Sequence, residues 1–110
     1  MLLRHLEKIT IEKATKTKQS NGSYVNTYTK VNDYNCIVQD LITDEISATV
    51  YGASINKMIR LLSPLKDMES FLLTKVNNTE DNVSNYFAEY NNNLYKIVSV
   101  SKDRVDVERL

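Results

Sequence analysis

Histidine and cysteine, the side chains best suited to nucleophilic catalysis and metal binding, each occur once in this chain, as His5 and Cys36. A zinc site needs several such ligands at defined spacings, and a nucleophile needs a base beside it. His5 has no cysteine or carboxylate at ligand spacing. Cys36 lies in an apolar strand pattern, where a free cysteine is typically a small buried residue. The sequence therefore predicts neither a metal site nor a catalytic triad.

The other reactive patterns are equally weak. Asp44-Glu45 and Glu80-Asp81 are adjacent carboxylates in predicted loops or turns, which is typical of solvated surface and not of an acid/base pair. Gly22 and Gly52 are the only glycines, too few for a phosphate-binding loop. We therefore expect a protein that is not an enzyme and uses no cofactor.

Length and charge point to a small binding or structural protein. A chain of 110 residues has the size of one domain, here residues 1–110. Its formal net charge of zero gives no general attraction to nucleic acid or to a membrane surface. One cysteine allows no internal disulfide, which favours a reducing compartment, and no stretch is long and apolar enough to predict a membrane span.

Apolar and polar residues alternate along much of the chain, which predicts short β-strands. The first strand covers residues 9–17, and the Asn21-Gly22 pair predicts a type I′ hairpin turn before a strand over residues 24–31. A break at Asn32-Asp33 is expected to end that strand. Further strands are predicted at residues 34–41, 58–62, 85–89, 94–100 and 105–108. The asparagine cluster Asn91-Asn92-Asn93 predicts a hairpin turn between the strands at 85–89 and 94–100.

One helix interrupts the strands. Ser63 can cap a helix that has Pro64 at its first position, and Leu65, Met68 and Leu72 then share one face. The predicted helix covers residues 64–73. The fold class is therefore mainly β, a small β-barrel of about six antiparallel strands with one short helix and a long central loop. The predicted core consists of Ile9, Ile11, Tyr34, Cys36, Ile59, Leu61, Ile97 and Val105.

The central loop is predicted at residues 41–55, where periodicity is weak. Asp44 and Glu45 interrupt the apolar pattern, and Gly52 breaks it again. Loops of more than about 12 residues are uncommon in small domains and are usually functional or disordered. We therefore expect a mobile loop with a functional role.

A nucleic-acid-binding barrel is the alternative. Lys8, Lys13, Lys16 and Lys18 lie near the first strand, and the chain contains seven tyrosines. Small barrels bind single strands with such mixtures of basic and stacking side chains. However, acidic residues separate some of these lysines, and strand-spaced tyrosines are also typical of cross-strand packing. The favoured interpretation is that the lysines lie on a solvated strand face and that the tyrosines form an aromatic core.

Several segments together form a pattern typical of one family: Ile9-Thr10-Ile11, the Asn21-Gly22 turn, Tyr28, Cys36, Tyr51-Gly52, Lys57-Met58-Ile59-Arg60 and Leu94-Tyr95-Lys96-Ile97. With them, the chain resembles the small head–tail connector proteins of tailed bacteriophages, in particular the head-closure or stopper branch. The likeness covers nearly the whole chain.

This resemblance implies a structural protein of the virion neck, assembled in the host cytoplasm. It implies a homo-oligomeric ring with the portal or adaptor protein above and a tail protein below, without membrane contact. Packaged DNA would lie in the channel without sequence-specific recognition, and the central loop would project into the channel and help to close it. The acidic side chains in and beside the loop would discourage DNA from sticking. The implied closure residues are Asp40, Leu41, Ile42, Thr43, Asp44, Glu45, Ile46, Ser47, Ala48, Thr49, Val50, Tyr51 and Gly52.

Overall fold

The computed structural model describes residues 5–40 and 58–110. In this part of the chain, six antiparallel strands close into a barrel with the order β1-β2-β3-β6-β5-β4. The strands are β1 (Glu7–Lys18), β2 (Tyr24–Asp40), β3 (Met58–Leu62), β4 (Tyr86–Tyr90), β5 (Asn93–Val100) and β6 (Val105–Arg109). A helix, α1 (Asp67–Val76), and a 3₁₀ turn, Val83–Asn85, lie between β3 and β4. The predicted mainly β barrel with one helix is confirmed.

Strands β1 and β2 form one long hairpin, and β2 is continuous where a break was predicted. Ile11 pairs with Asn32, and the next pair skips Val31, so β2 carries one extra residue at this point. Such a bulge absorbs an irregular residue without ending the strand. The prediction of a strand break at Asn32 and Asp33 is therefore wrong.

Helix α1 begins three residues later than the sequence predicts. The Ser63 carbonyl accepts a hydrogen bond from the Lys66 amide (3.0 Å), and Lys66 adopts a left-handed conformation with φ 59°. A left-handed residue cannot continue an α-helix, so the helix starts at Asp67, and Ser63 is not its N-cap. Leu65 is consequently 84% exposed and does not share the buried face of Met68 and Leu72.

The core lies inside the barrel and under α1. Seven of the predicted core residues are buried, whereas Ile97 is only partly buried and packs against the core from its side. The register of β5 against β6 shifts between Ile97 and Ser99, which disturbs the regular alternation along β5. Met68 and Leu72, which the sequence places on one helical face, are also buried, and further core residues outside the predicted set are Met58, Tyr86, Ala88, Tyr95 and Val107.

The described part of the chain contains no helix with the length and apolar character needed to span a bilayer.

Candidate functional site

The β1–β2 hairpin extends beyond the barrel wall. β1 pairs with β4 only through Thr10–Lys13, and β2 pairs with β3 only from Ile37 to Asp40. Residues 14–29 therefore form a two-stranded ribbon, and within the described ranges neither of its outer edges has a strand partner. Every residue from 15 to 27 is exposed. We call residues 14–29 the ribbon.

The tip of the ribbon is a three-residue turn and not the predicted two-residue type I′ turn. Only Gly22 has a positive φ, at 87°, whereas a type I′ turn would require a positive φ at Asn21 as well. The Gly22 amide donates to the Gln19 carbonyl (3.0 Å), and the Gln19 amide donates to the Ser23 carbonyl (2.8 Å). This is a type I turn closed by a left-handed glycine, which keeps the two strands in register.

The two faces of the ribbon differ in chemistry, because directly paired residues of an antiparallel ladder project to the same side. Lys18 pairs with Tyr24, and Lys16 pairs with Asn26, so these four side chains share one face. The opposite face carries only uncharged residues: Thr15, Thr17, Val25 and Thr27. We call the first of these the lysine–tyrosine face. Its Tyr24 side chain is 63% exposed.

An ion cluster fixes the base of the ribbon to the barrel. Asp81 contacts the ammonium groups of Lys13 (2.8 Å) and Lys75 (2.7 Å) and accepts a hydrogen bond from the Tyr86 hydroxyl (2.8 Å). Lys75 also lies over the ring of Phe71, with 5.3 Å between the ammonium nitrogen and the ring centroid. These contacts join β1, α1 and β4.

The same cluster changes the acidity of its members. Hydrogen bonds from Lys13, Lys75 and Tyr86 hold the pKa of Asp81 far below its usual value. Burial and the hydrogen bond to Asp81 raise the pKa of Tyr86 to about 12. Lys13 is therefore committed to the barrel and does not belong to the accessible charge of the ribbon.

A second ion pair engages Lys30, which lies on β2 just outside the ribbon, at the same base as Lys13. Lys30 lies 2.6 Å from Asp33, and the Thr10 hydroxyl donates to the same carboxylate at 2.6 Å. These partners lower the pKa of Asp33, with the hydrogen bond from Lys30 as the largest cause. Lys16 and Lys18, the two lysines of the ribbon itself, have no carboxylate partner among the described residues.

Of the predicted closure residues, only Asp40 lies in the described part of the chain. It is the last residue of β2, it is exposed, and it pairs with Ile59. The remaining predicted closure residues, together with the rest of the predicted loop at residues 41–55, lie outside the described residues.

The side chains considered for catalysis are not brought together. Cys36 is fully buried, its sulfur lies 3.8 Å from that of Met68, and burial raises the pKa of its thiol to about 12. His5 is exposed near the start of the described chain. Among the described residues there is no group of three or more histidine, cysteine or carboxylate side chains that could hold a metal ion.

A shallow groove lies between the start of β1 and the turn before α1. Its volume is about 330 Å³, and its walls include Leu6, Tyr34 and Leu65. Two carboxylates line it, those of Asp33 and Asp67, and both already accept hydrogen bonds from neighbouring groups of this chain. The groove therefore offers few uncommitted polar groups to a ligand.

Lys8, Lys13, Lys16 and Lys18 lie close together in the sequence, but they have different surroundings in the structure. Lys8 lies on the barrel wall, Lys13 joins the ion cluster, and Lys16 and Lys18 project on the ribbon. The signal that could have separated the ribbon is the complete lack of Asp and Glu in residues 13–31.

The proteins that resemble this chain support its fold and give no information about its function. No family model matches the chain, and no curated protein matches it. The chain is similar in structure to protein SF1141 from Shigella flexneri 2a, which was determined in solution. The two share 14% sequence identity with a TM-score of 0.53, over 99% of this chain and 95% of the other. At this identity, the likeness shows a shared fold alone.

Proposed function

We propose that this protein is a structural subunit of the bacteriophage neck, a ring-forming head-closure or head–tail connector protein. It joins the portal or adaptor protein to the tail and helps to retain packaged DNA. The single observation that carries this proposal is the projecting ribbon. The sequence resemblance to phage connectors, which spans nearly the whole chain, gives the ribbon its context.

The ribbon has the properties of an assembly arm. Closing a barrel removes the free strand edges through which β-proteins associate, yet the ribbon restores two of them outside the barrel. A two-stranded hairpin is marginally stable by itself in water. Packing the uncharged Thr15, Thr17 and Val25 face onto the next subunit would stabilise the ribbon and bury its apolar atoms.

An arm that reaches to the next copy makes a head-to-tail contact. Such heterologous contacts produce closed rings when the rotation between copies allows closure. The formal net charge of zero imposes no strong repulsion on neighbouring copies. A ring of barrels with interlocking ribbons is therefore the assembly that we expect, with the predicted central loop at residues 41–55 contributing to channel closure.

Electron microscopy of particles from a phage lysate tests this proposal. Deletion of the gene should give separate heads and tails, and most of the heads should have lost their DNA. Complete, infectious particles in the absence of the protein would contradict the proposal.

A ribbon-shortened variant tests the role of the arm itself. Lys16 and Asn26 are paired, so residues 17–25 can be replaced by an Asn-Gly turn that joins them. This variant should fold, because the removed residues are exposed, but it should fail to restore head–tail joining. Ser20→Ala, which leaves the ribbon at full length, is the control and should restore it.

The alternative function, a small nucleic-acid-binding module, is favoured by one observation. The lysine–tyrosine face combines two lysines without partners and an exposed aromatic ring. This combination is typical of surfaces that bind nucleic acid without sequence preference.

A further inference from the structure

We infer that the lysine–tyrosine face of the ribbon is a binding surface for the nucleic-acid backbone, with Lys16 and Lys18 contacting phosphates and Tyr24 contacting an unpaired base. This inference does not rest on the proposed function, because a free barrel with this ribbon would bind in the same way as a subunit of a ring. It assigns DNA contact to the ribbon and not to the central loop.

Charge is distributed unequally along this neutral chain. The sequence has 14 basic and 14 acidic side chains, but residues 13–31 contain four lysines and no Asp or Glu. The rest of the chain therefore carries an excess of four acidic residues. A basic arm on an acidic body directs a polyanion to the arm and repels it from the remaining surface.

The ion pairs of the molecule decide which lysines can serve a ligand. Lys13 is held by Asp81 and Lys30 by Asp33, and moving either lysine to a phosphate would expose a carboxylate that is now paired. Lys16 and Lys18 are exposed and have no carboxylate partner among the described residues. They can bind phosphate without breaking an interaction of the protein.

The geometry places these charges beside groups that can contact bases. Lys16 and Lys18 are two residues apart on β1, so they lie on one face about 7 Å from each other. Tyr24 and Asn26 lie directly opposite on β2. The ring of Tyr28, farther down the same face, is occupied by an edge contact with Phe87 at 5.3 Å between centroids. Tyr24 is therefore the ring that is available for stacking.

The shape of the ribbon also fits a nucleic acid. A two-stranded ribbon is narrow enough to enter the major groove of B-DNA, which is about 12 Å wide. Because the ribbon projects beyond the barrel, its tip can reach a duplex without contact between DNA and the acidic body. No side chain of this face requires a particular base, so we expect weak binding without sequence preference.

Fluorescence anisotropy with the full-length protein tests the inference. Labelled DNA of about 20 base pairs or 20 nucleotides is titrated at several salt concentrations between about 50 and 200 mM. Lys16→Ala/Lys18→Ala should weaken duplex binding at low salt about 10-fold or more and should reduce the magnitude of the salt slope by about 2, as expected for two lost phosphate contacts.

A matched control removes two lysines elsewhere. Lys8→Ala/Lys102→Ala makes the same change in net charge at exposed positions outside the ribbon and should alter the affinity less than about twofold. Equal losses in the two double variants would overturn the inference, since binding would then follow net charge alone. Absence of detectable duplex binding by the unmodified protein at about 50 mM salt would also overturn it.

Two further measurements identify the ligand. Tyr24→Ala should weaken binding of single-stranded oligothymidylate about fivefold or more and leave duplex binding unchanged, because only unpaired bases can stack on the ring. Unchanged single-strand affinity would overturn the role of Tyr24. A labelled polyglutamate peptide should bind at least about 10-fold more weakly than DNA. Equal binding would overturn the nucleic-acid assignment in favour of an acidic protein segment.

Discussion

The same leucine-to-alanine substitution should have very different effects on stability at Leu65, before α1, and at Leu72, within it. Leu72 is fully buried in the core, whereas Leu65, in the turn before the helix, is 84% exposed. Sequence periodicity places both leucines on the same buried helical face, and the structure does not. Leu72→Ala and Leu65→Ala therefore make the same chemical change and distinguish the predicted helical face from the burial seen in the structure.

The expected magnitudes follow from burial. Leu72→Ala removes three buried carbons, which corresponds to about 2.4 kcal/mol of transfer free energy, and the cavity that remains raises the loss to about 3–4 kcal/mol. Leu65 buries only a small part of its side chain, so the same substitution should cost about 0.4 kcal/mol. Domains of this size have total stabilities of about 5–15 kcal/mol, so the Leu72 variant should still be folded.

Urea denaturation followed by far-UV circular dichroism measures both losses. Tyrosine fluorescence gives a second probe, because the chain has seven tyrosines and no tryptophan. Similar slopes of free energy against urea would show that the variants differ in stability and not in the compactness of either state. A loss above about 2 kcal/mol for Leu65→Ala would refute the reasoning, since Leu65 would then belong to the buried face.

Three further predictions address the thiol, the ion cluster and the tip of the ribbon. Burial raises the pKa of the Cys36 thiol to about 12, so this thiol should not react with Ellman's reagent at about pH 8 in the folded protein. It should react fully in urea, and rapid reaction in buffer would contradict its burial. Because the folded state lowers the pKa of Asp81, its contribution to stability is present above about pH 4 and is lost as the pH falls below that value. The difference in unfolding free energy between the wild type and Asp81→Asn should therefore narrow in acid, and a pH-independent difference would rule out the charged contacts as its source. Gly22→Ala places a side chain at φ 87°, which should introduce left-handed strain of about 1–2 kcal/mol. This strain should accelerate amide hydrogen exchange at Gln19 about 10-fold, and unchanged exchange there would show that the turn is not strained.

Local chemistry in the sequence was sufficient to predict the barrel strands and one of its turns. The β-strand pattern depends only on alternation between neighbouring residues, so Ile9 and Ile11 were placed correctly in the core. The asparagine cluster before β5 predicted a hairpin, and Asn91 and Asn92 do adopt positive φ values of 54° and 64°. Asparagine tolerates this conformation, so the turn follows from residue type.

Local sequence patterns mispredict the structure where two backbone conformations compete. Ser63-Pro64 satisfies every requirement of a helix start, yet the left-handed Lys66 delays the helix to Asp67. Glu69 helps to explain this choice, since its buried carboxylate accepts a hydrogen bond from the Ser63 amide at 2.9 Å. That contact joins residues six positions apart, and the helix-start pattern at Ser63-Pro64 does not include it.

The sequence by itself determined a small β-barrel with a helix, but only the tertiary structure decided which part of the longest hairpin lies in the barrel wall. Strand β1 continues beyond Lys13 to Lys18, but the barrel wall ends at Lys13 because β4 and β3 have five residues each and stop pairing. Those short partners lie far away in the sequence. Their length leaves Lys16, Lys18 and Tyr24 outside the barrel, whereas Lys13 is drawn into the cluster around Asp81. Whether a strand residue is buried or presented to a partner is a nonlocal property, because it depends on which distant strand covers it.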